Sequence, residues 1–541
     1  MINSSISGEN CFVGLTACGL VRVCFPFDAV TNAQLAKIRP RGILYGNSRG
    51  WEFPLAAGKQ LKETLGNRFV IKEDFLSWLN WLEKPLPDFP SIENLLKNAD
   101  FSSQLSDGRH IFPHQKLGAK WLLSRSRALL ADEMGLGKTL TALLAARAVN
   151  RTSSVSVKVI APAGVHQHWL DEANALDMKI VLCSWARIPQ ELSDTGTLLI
   201  VDEAHFAQSI NSKRTKALLR LARHPRLSGL WMLTGTPLKN GRPYQLYPLL
   251  AAMNHPIASN QDSFKRKFCN PHPKNKHDYS LWNSRGASNL DALGLAIQPL
   301  VLYRKKNKEL KLPDKLRKIY EVELSFLEQK GFEYRIKLAL DSYLQRVREG
   351  LVQKNAESLV LLTALRKISS EFKLLSVNNL LKRLGPDTPV VLFSSFVEPL
   401  KLLQNTCNGY LLTGNQKITE RDHLVKRFQK GEINLLLATY SSGGIGYTLH
   451  RARNVILLER PWSPGELEQA EDRCHRLGMK GNLTSHWFQL GFADQLIDSL
   501  LISKKENIKT LFQERVLEIE SKPISTMINN FINKIHDLNI P

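Results

Sequence analysis

The spacing of hydrophobic positions divides the chain into stretches of different character. Between residues 105 and 260, short apolar runs alternate with segments of helical periodicity, and these runs lie at residues 127–130, 157–162, 180–183, 198–205 and 231–237. The alternation stops between 245 and 375, and it returns from residue 389. Within this region, residues 325–373 have the pattern of long helices with one apolar and one charged face. Strands that alternate with helices form parallel sheets, so the pattern predicts an α/β protein with two lobes and a helical region between them.

The first hundred residues follow a different pattern. Period-2 alternation predicts a strand at 20–25, helical periodicity predicts a helix at 31–38, and two short strands at 43–45 and 51–53 flank a turn. Between Thr31 and Lys72 there are eight basic and two acidic residues, interleaved with Tyr45, Trp51 and Phe53. Two interpretations fit: a nucleic-acid surface whose rings stack on bases, or a small α/β domain with a solvated basic face. A proline-rich linker at 85–90 follows.

Composition narrows the class of protein. The 541 residues suggest about three or four domains, and 43% hydrophobic with 23% charged residues is ordinary for a globular protein. A net charge of +23, from 73 Lys and Arg against 50 Asp and Glu, predicts a polyanionic partner, most simply nucleic acid, with an anionic membrane surface as the alternative. No apolar run approaches the roughly 18 residues of a membrane span, and seven scattered cysteines indicate a reducing compartment.

A glycine-rich stretch at 132–139 carries the clearest chemical signal. It joins the apolar run 127–130 to a helical segment, so backbone N–H groups and the helix dipole would converge on one point that suits phosphate. Lys138 would reach the β- and γ-phosphates, and the Thr139 hydroxyl would bind Mg²⁺. The match to the phosphate-loop pattern G-x-x-x-x-G-K-[ST] is imperfect, because Asp132 stands where the first glycine belongs. The predicted nucleotide-binding residues of the stretch are Asp132, Glu133, Met134, Gly135, Leu136, Gly137, Lys138 and Thr139.

Further candidates for this site stand at the ends of other predicted strands. Asp202 would bind the metal together with Thr139, and Glu203 would polarise the attacking water. The hydroxyl residues at 234–236 suit a sensor of the γ-phosphate. Upstream, Gln115 could read an adenine edge through its amide. A solvated strand end and a surface glutamine are the alternatives for these positions.

The second lobe has no phosphate loop of its own, so we expect one nucleotide to lie in a cleft between two similar lobes. Arg473 and Arg476 have the i, i+3 spacing of one helix face. Such a pair, facing a phosphate from another lobe, would act as arginine fingers. A solvated helix face is the alternative.

Taken together, these motifs resemble the SNF2 family of superfamily 2 ATPases, which translocate on duplex DNA. The matching stretches are Gln115, ADEMGLGKT at 131–139, APAGVHQHW at 161–169, DEAH at 202–205, LTGTPLKN at 233–240, SSGGIGYTL at 441–449 and QAEDRCHRLG at 469–478. The resemblance covers about residues 110–505 and implies two RecA-like parallel-sheet lobes with helical protrusions. In that family the loop commonly carries Asp at its first position, so Asp132 fits. Two departures are Met479, where Gln is common, and Tyr440-Ser441-Ser442 before the paired glycines.

Within the family, the chain looks most similar to the annealing-helicase branch, whose members carry a HARP domain. Phe25-Pro26-Phe27, Ile38, Tyr45, Arg49, Trp51 and Phe53-Pro54 are similar to that domain. The predicted organisation is a HARP-like α+β accessory domain with linker at 1–100, an ATP-binding lobe at 101–260, helical protrusions and linker at 261–375, a second RecA-like lobe at 376–500 and a helical tail at 501–541.

The resemblance implies an ATP- and Mg²⁺-dependent translocase that remodels or reanneals branched double-stranded DNA, with a role in DNA repair. Strand-separating DNA or RNA helicase activity, displacement of proteins from DNA, and a scaffold with an inactive nucleotide site are the alternatives. Gly444 is a further expected nucleotide contact, and the expected DNA contacts are Arg49, Trp51, His166, Ser184, Lys239, Ser395, Thr413 and Thr439. We expect a monomer without a membrane partner, in a bacterial or viral cytoplasm and associated with the nucleoid.

Overall fold

A computed structural model provides the fold. It describes residues 11–512 except 17–19, 40, 46–49, 84–90, 100, 102–104, 193–195, 239, 271, 276–277, 284–285, 350–356, 444–446, 477 and 480. The predicted linker at 85–90 and most of the predicted tail therefore lie outside the described residues. The chain divides into two units, one formed by residues 1–310 and 507–516 and the other by 311–506 and 517–541.

The N-terminal part of the first unit has a sheet and a hydrophobic core of its own. Its elements are β1 Phe12–Leu15, β2 Val21–Cys24, α1 Ala29–Ala36, β3 Ile43–Tyr45, β4 Gly50–Phe53, α2 Gly58–Leu65, β5 Val70–Ile71 and α3 Glu73–Glu83. The strand order is β3-β4-β2-β1-β5, antiparallel except for the β1–β5 pair. The alternation in β2 buries Val21 and Val23 and leaves Arg22 to pair with Glu52 across the sheet, at 2.6 Å. The predicted strands at 43–45 and 51–53 are confirmed.

The remainder of the first unit is built on a fully parallel six-stranded sheet, ordered β13-β6-β10-β9-β7-β8. Its elements are α4 Ile92–Asn98, α5 Pro113–Leu123, β6 Arg127–Leu130, α6 Lys138–Thr152, β7 Ser156–Ala161, α7 His166–Ala175, β8 Val181–Ser184, β9 Thr197–Val201, α8 Lys213–Leu221, β10 Leu227–Leu233, α9 Tyr247–Ala252, α10 Gln261–Phe268, β11 His272–Asn275, β12 Asp278–Asn283, α11 Leu290–Ile297, β13 Val301–Leu302 and α12 Lys306–Glu309. The pair β11 and β12 forms a separate antiparallel ribbon.

Alternate side chains of the central strands enter two different cores, one on each face of this sheet. In β9, Leu198 and Ile200 join the core that contains side chains of α5, α6 and α7, whereas Leu199 and Val201 join the core that contains side chains of α8 to α11. Because helices cover both faces, β9 is an unbroken apolar run rather than an alternating one. The predicted parallel sheet of the first lobe is confirmed.

The second unit repeats this plan with a parallel sheet ordered β14-β19-β18-β15-β17-β16. Its elements are β14 Lys315–Glu321, α13 Phe326–Arg348, α14 Glu357–Phe372, α15 Leu374–Leu384, β15 Val390–Ser394, α16 Val397–Gln404, β16 Tyr410–Leu412, α17 Ile418–Lys430, β17 Leu435–Thr439, α18 Tyr440–Gly443, β18 Asn454–Leu457, α19 Pro464–Cys474, β19 Leu483–Gln489 and α20 Gly491–Leu511. Residues 507–511 of α20 are assigned to the first unit. The long helices α13 and α14 match the helical pattern predicted from 325 to 373. In the described part of the chain, no helix has the length and apolar character needed to cross a membrane.

The domain boundaries predicted at 260/261 and 375/376 differ from this division. The stretch predicted as helical protrusions supplies β13 to the first sheet and β14 to the second. Residues 261–310 thus belong to the first unit and residues 311–375 to the second. The physical reason is that β13 is only two residues long and is held by its backbone pairing with β6, which leaves no periodic signal in the sequence.

Candidate nucleotide-binding site

The glycine-rich stretch forms a tight loop between β6 and α6, as predicted. Gly135 and Gly137 have φ of 86° and 71°, values that favour glycine because a Cβ would be strained there. A Cβ on Gly137 would also collide with Gln115 Nε2. Gly137 is the N-cap of α6, so the first N–H groups of this helix open toward the loop. A helix N-terminus of this form binds phosphate.

Lys138, the first residue of α6, crosses the loop. Its Nζ donates to the carbonyl oxygens of Asp132 at 2.7 Å and Glu133 at 3.3 Å. A Cβ placed on Gly235 would stand 3.3 Å from the same Nζ. The ammonium group therefore lies between the loop and the segment that follows β10, as a phosphate-binding lysine requires.

Asp202 follows β9 and is held on three sides. Its carboxylate accepts the indole N–H of Trp169 at 2.9 Å and the Glu203 backbone N–H at 2.8 Å, and its carbonyl accepts the Trp185 indole N–H at 2.9 Å. Burial and the neighbouring Glu203 carboxylate raise the pKa of Asp202 to about 6. A cation beside this carboxylate would stabilise its charged form. A carboxylate together with the Thr139 hydroxyl is an oxygen donor set that suits Mg²⁺.

Glu203 has a left-handed backbone, with φ 49° and ψ 48°. For a residue with a Cβ this conformation costs roughly 1–3 kcal/mol, and such strain concentrates at functional sites. Its Oε2 lies 3.1 Å from His205 Nδ1, which in turn lies 3.4 Å from Thr234 Oγ1. Thr234 Oγ1 accepts the Thr236 N–H at 3.1 Å. The carboxylate is thus linked by polar contacts to the hydroxyl residues that were predicted to sense the γ-phosphate.

Gln115 is not a surface residue, since only 5% of it is exposed. Its Oε1 accepts the backbone N–H of Phe112 at 3.0 Å and so caps α5, while its Nε2 faces Gly137. Next to it, His114 Nε2 lies 3.0 Å from the Leu136 carbonyl oxygen. The start of α5 thus packs against the loop, and contact of Gln115 with an adenine stays a prediction.

The two arginines of the second unit do not share a helix face, and this part of the prediction is wrong. Arg473 lies in the last turn of α19, which ends at Cys474, and His475 leaves the helix with ψ 77°. His475 Nε2 lies 2.7 Å from the Pro313 carbonyl oxygen, which favours the turn away from helical geometry. Arg476 lies beyond the helix, and its Nη1 donates to Thr448 Oγ1 at 2.8 Å.

The predicted DNA contacts have mixed outcomes. Trp51 is wrong as a stacking surface: it is 6% exposed, packs on Phe53 in the N-terminal core and donates its indole N–H to Asn32 at 2.8 Å. Thr413 and Thr439 are buried as well, and the Thr439 hydroxyl hydrogen-bonds Ser441 and Ser442, so burial does not favour these two contacts and they stay predictions.

Three of the predicted contacts keep accessible side chains. Ser395 is exposed, whereas His166 and Ser184 are half-buried. These last two come together around Ala161, because Ser184 is its partner in the β7–β8 register and His166 Nε2 lies 3.2 Å from its carbonyl oxygen. Arg49, Lys239 and Gly444 lie outside the described residues.

Several residues of the site carried no assigned role in the sequence. Trp169 and Trp185 orient Asp202. Arg304 pairs with Asp132 at 2.5 Å, and Tyr303 and Lys306 contact Glu133. Trp169 could have been noticed as the last residue of the 161–169 motif. Arg304 and Lys306 had only the basic stretch at 304–318 to signal them, and Trp185 and Tyr303 had no signal of this kind.

A phosphate loop, a carboxylate pair on a central strand and two parallel six-stranded sheets define a P-loop ATPase with two RecA-like lobes. Residues 114–186 and 178–374 match the family model of the SNF2-related domain, and residues 373–478 match that of the helicase conserved C-terminal domain. The chain belongs to the SNF2 family.

Two relatives are similar to this chain over most of its length. The chain is 26% identical over 511 residues to a Xenopus tropicalis SWI/SNF-related matrix-associated actin-dependent regulator of chromatin subfamily A-like protein 1, with 87% of this chain and 52% of that protein covered. It is 27% identical over 442 residues to the Mus musculus DNA annealing helicase and endonuclease ZRANB3, with 72% of this chain and 39% of that protein covered. The chain thus spans about half or less of the length of these relatives.

Proposed function

We propose that this protein is an ATP-dependent double-stranded DNA translocase that remodels or reanneals branched DNA. The observation that carries the proposal is the arrangement of Lys138, Asp202 and Glu203 around one phosphate loop. This is the group of side chains that ATP hydrolysis needs: a cation for the phosphates, a metal ligand and a carboxylate for the attacking water. A protein that only binds nucleic acid has no need of the strained backbone at Glu203.

In the proposed reaction, Thr139 and Asp202 would hold Mg²⁺, which would supply positive charge to the β- and γ-phosphates. Lys138 releases its two carbonyl contacts and binds the phosphates. Glu203 orients the attacking water, and its contact with His205 reports the state of the γ-phosphate to Thr234. Arg473 and Arg476 are proposed to supply the positive charge that arginine fingers contribute.

Charge supports DNA as the polymer on which the protein acts. The net charge of +23 favours phosphate contacts that do not depend on base sequence. Seven of the eight basic residues between Thr31 and Lys72 are described, and all seven are exposed; they are Lys37, Arg39, Arg41, Lys59, Lys62, Arg68 and Lys72. Because the rings of Trp51 and Phe53 are buried, we propose that this HARP-like domain binds the DNA backbone rather than stacked bases. One relative is named a DNA annealing helicase and endonuclease, and this name supports DNA as the substrate and reannealing as the activity.

The test is the ATPase rate on forked DNA, duplex DNA, single-stranded DNA and RNA. We expect stimulation by DNA with the highest rate on forks, and loss of hydrolysis in Lys138→Ala with DNA binding retained. Lys401→Ala is the matched control, because Lys401 is an exposed lysine of α16 that pairs with Glu398. Hydrolysis by Lys138→Ala at the parent rate, or equal rates on all four polymers, would contradict the proposal. Absence of turnover on every polymer would favour the scaffold alternative.

A further inference from the structure

Asp132 occupies the position at which a phosphate loop usually has glycine, and its side chain is completely buried. Arg304, from 172 residues further along the chain, forms two hydrogen bonds to its carboxylate, from Nε at 3.0 Å and from Nη2 at 2.5 Å. The third nitrogen, Nη1, donates to the His114 carbonyl oxygen at 2.5 Å. A guanidinium in this two-point geometry fixes the carboxylate in both position and orientation.

The backbone of the segment that contains Arg304 also hydrogen-bonds the residues that lead from β6 into the phosphate loop. The N–H groups of Leu129, Ala131 and Glu133 donate to the carbonyl oxygens of Leu300, Leu302 and Arg304, at 2.8, 2.7 and 3.0 Å. The parallel pairing of β13 with β6 therefore extends past the end of both strands and into the phosphate loop.

Two neighbours of Arg304 hold the next residue of the loop. Tyr303 Oη donates to one oxygen of the Glu133 carboxylate at 3.2 Å, and the Lys306 backbone N–H donates to the other at 2.8 Å. The Lys306 side chain also lies over the loop, since a Cβ on Gly135 would stand 3.3 Å from Lys306 Cδ. Both acidic residues of the loop are thus fixed by one short segment that is remote in sequence.

We infer that Arg304 is a positioning residue for phosphate binding, and that it acts through Asp132. The Asp132 carbonyl accepts Lys138 Nζ, so the residue that Arg304 fixes also determines where the phosphate-binding lysine rests. The pair replaces the first glycine of the loop pattern with a salt bridge. The inference rests on the proposed function, because the ligand of the loop is ATP in both.

The packing around Arg304 allows its guanidinium to be displaced without a change in the charge of Arg304 or of Asp132. A Cβ on Gly118 in α5 would stand 2.6 Å from Arg304 Nη2 and 2.8 Å from Thr141 Cγ2. Gly118→Ala should therefore displace the guanidinium, although alanine is the better helix former. Gly331→Ala in α13 is the matched control, since a Cβ there meets only Phe372, at 3.7 Å.

The test compares Kd for a fluorescent ATP analogue, KM for ATP, kcat, and Kd for duplex DNA. We expect Arg304→Gln to weaken ATP binding by about tenfold to hundredfold, as a misplaced binding group does, with Kd for DNA unchanged. Arg304→Lys should recover part of this loss. Gly118→Ala should weaken ATP binding in the same direction, and Gly331→Ala should leave it unchanged.

The decisive variant is the double change Asp132→Gly with Arg304→Gln. Because this double variant has the glycine of the ordinary loop pattern, it no longer needs the guanidinium, and its Kd for ATP should return to within about threefold of the parent value. A double variant as weak as Arg304→Gln, or an Arg304→Gln variant with parent-like ATP binding, would overturn the inference while the parent still hydrolyses ATP. A parent that binds no ATP would overturn the proposed function together with this inference. If Arg304→Gln does not fold, Gly118→Ala and the double variant give the same comparison.

Discussion

Asp202 offers the sharpest quantitative prediction, because its surroundings oppose its negative charge. Burial first, and then the neighbouring Glu203 carboxylate, raise its pKa from 3.8 to about 6, although the Trp169 indole N–H and the Lys138 ammonium act in the opposite direction. The folded-state pKa lies above the unfolded-state value. The contribution of protonated Asp202 to the free energy of unfolding is therefore fully present below about pH 4. It is lost as the pH rises through about 6. The shift from 3.8 to about 6 corresponds to a loss of about 3 kcal/mol.

The perturbation is Asp202→Asn, which keeps the shape and removes the charge. Asn has one oxygen for the two N–H groups that the carboxylate accepts, from Trp169 and Glu203, so the variant loses one hydrogen bond at every pH. This loss is an offset of about 1–2 kcal/mol that does not depend on pH. The difference in unfolding free energy should therefore move by about 2–3 kcal/mol in favour of the variant between pH 4 and pH 8.

The assay is urea unfolding of parent and variant at five pH values from 4 to 8, without nucleotide or Mg²⁺. Taking the difference between the two proteins cancels the other titrating groups that they share. Glu203→Gln is the control, because it removes the second cause of the shift and should make the step smaller. A difference that is constant with pH, or that moves in favour of the parent, would show that folding does not raise the pKa of Asp202. Mg²⁺·ATP at 100 times its Kd should stabilise the parent by about 2.7 kcal/mol and the Asn variant much less.

Three further predictions concern the same protein. Glu203→Gln should lower kcat by about 10²–10⁴-fold with ATP binding retained, as single-turnover and equilibrium-binding measurements would reveal; an unchanged kcat would contradict its role toward water. Trp169→Phe removes one hydrogen bond to Asp202 and should weaken Mg²⁺ binding by about tenfold to hundredfold, read from a Mg²⁺ titration of the ATPase rate; a parent-like titration would argue against it. In the N-terminal domain, Trp51→Phe should lower the melting temperature and leave DNA affinity unchanged. Lys59→Gln, at an exposed position, should instead reduce the salt dependence of DNA binding without loss of stability. A loss of DNA affinity in Trp51→Phe with no change in Lys59→Gln would restore the stacking interpretation.

Much of the fold could be predicted, because the signals were local. The apolar run of β9 and the glycine-rich turn before α6 each determine their own conformation over a few residues, and both are as predicted. The same kind of local pattern could have excluded base stacking by Trp51, which was expected to contact DNA. It shares a face with Phe53 across the alternation of β4, and that face is the buried one.

The missed features depend on contacts between distant parts of the chain. Arg304 is one of eight basic residues between 304 and 318, and nothing local distinguishes the residue that pairs with Asp132. The strand β13 is too short to show a period. For Arg476, helical spacing was extended past the point where His475 ends the helix. Periodicity predicts that a helix or strand forms, whereas contacts with distant residues determine the residue at which it ends.

We propose above all that ATP hydrolysis at this loop drives movement along DNA. The decisive assay is displacement of a triplex-forming strand from duplex DNA. The parent protein with Mg²⁺ and ATP should displace the third strand, and Lys138→Ala should not, although it still binds the duplex. Lys401→Ala should behave as the parent does. Unwinding of a tailed duplex without displacement of the third strand, or displacement by Lys138→Ala, would contradict the account.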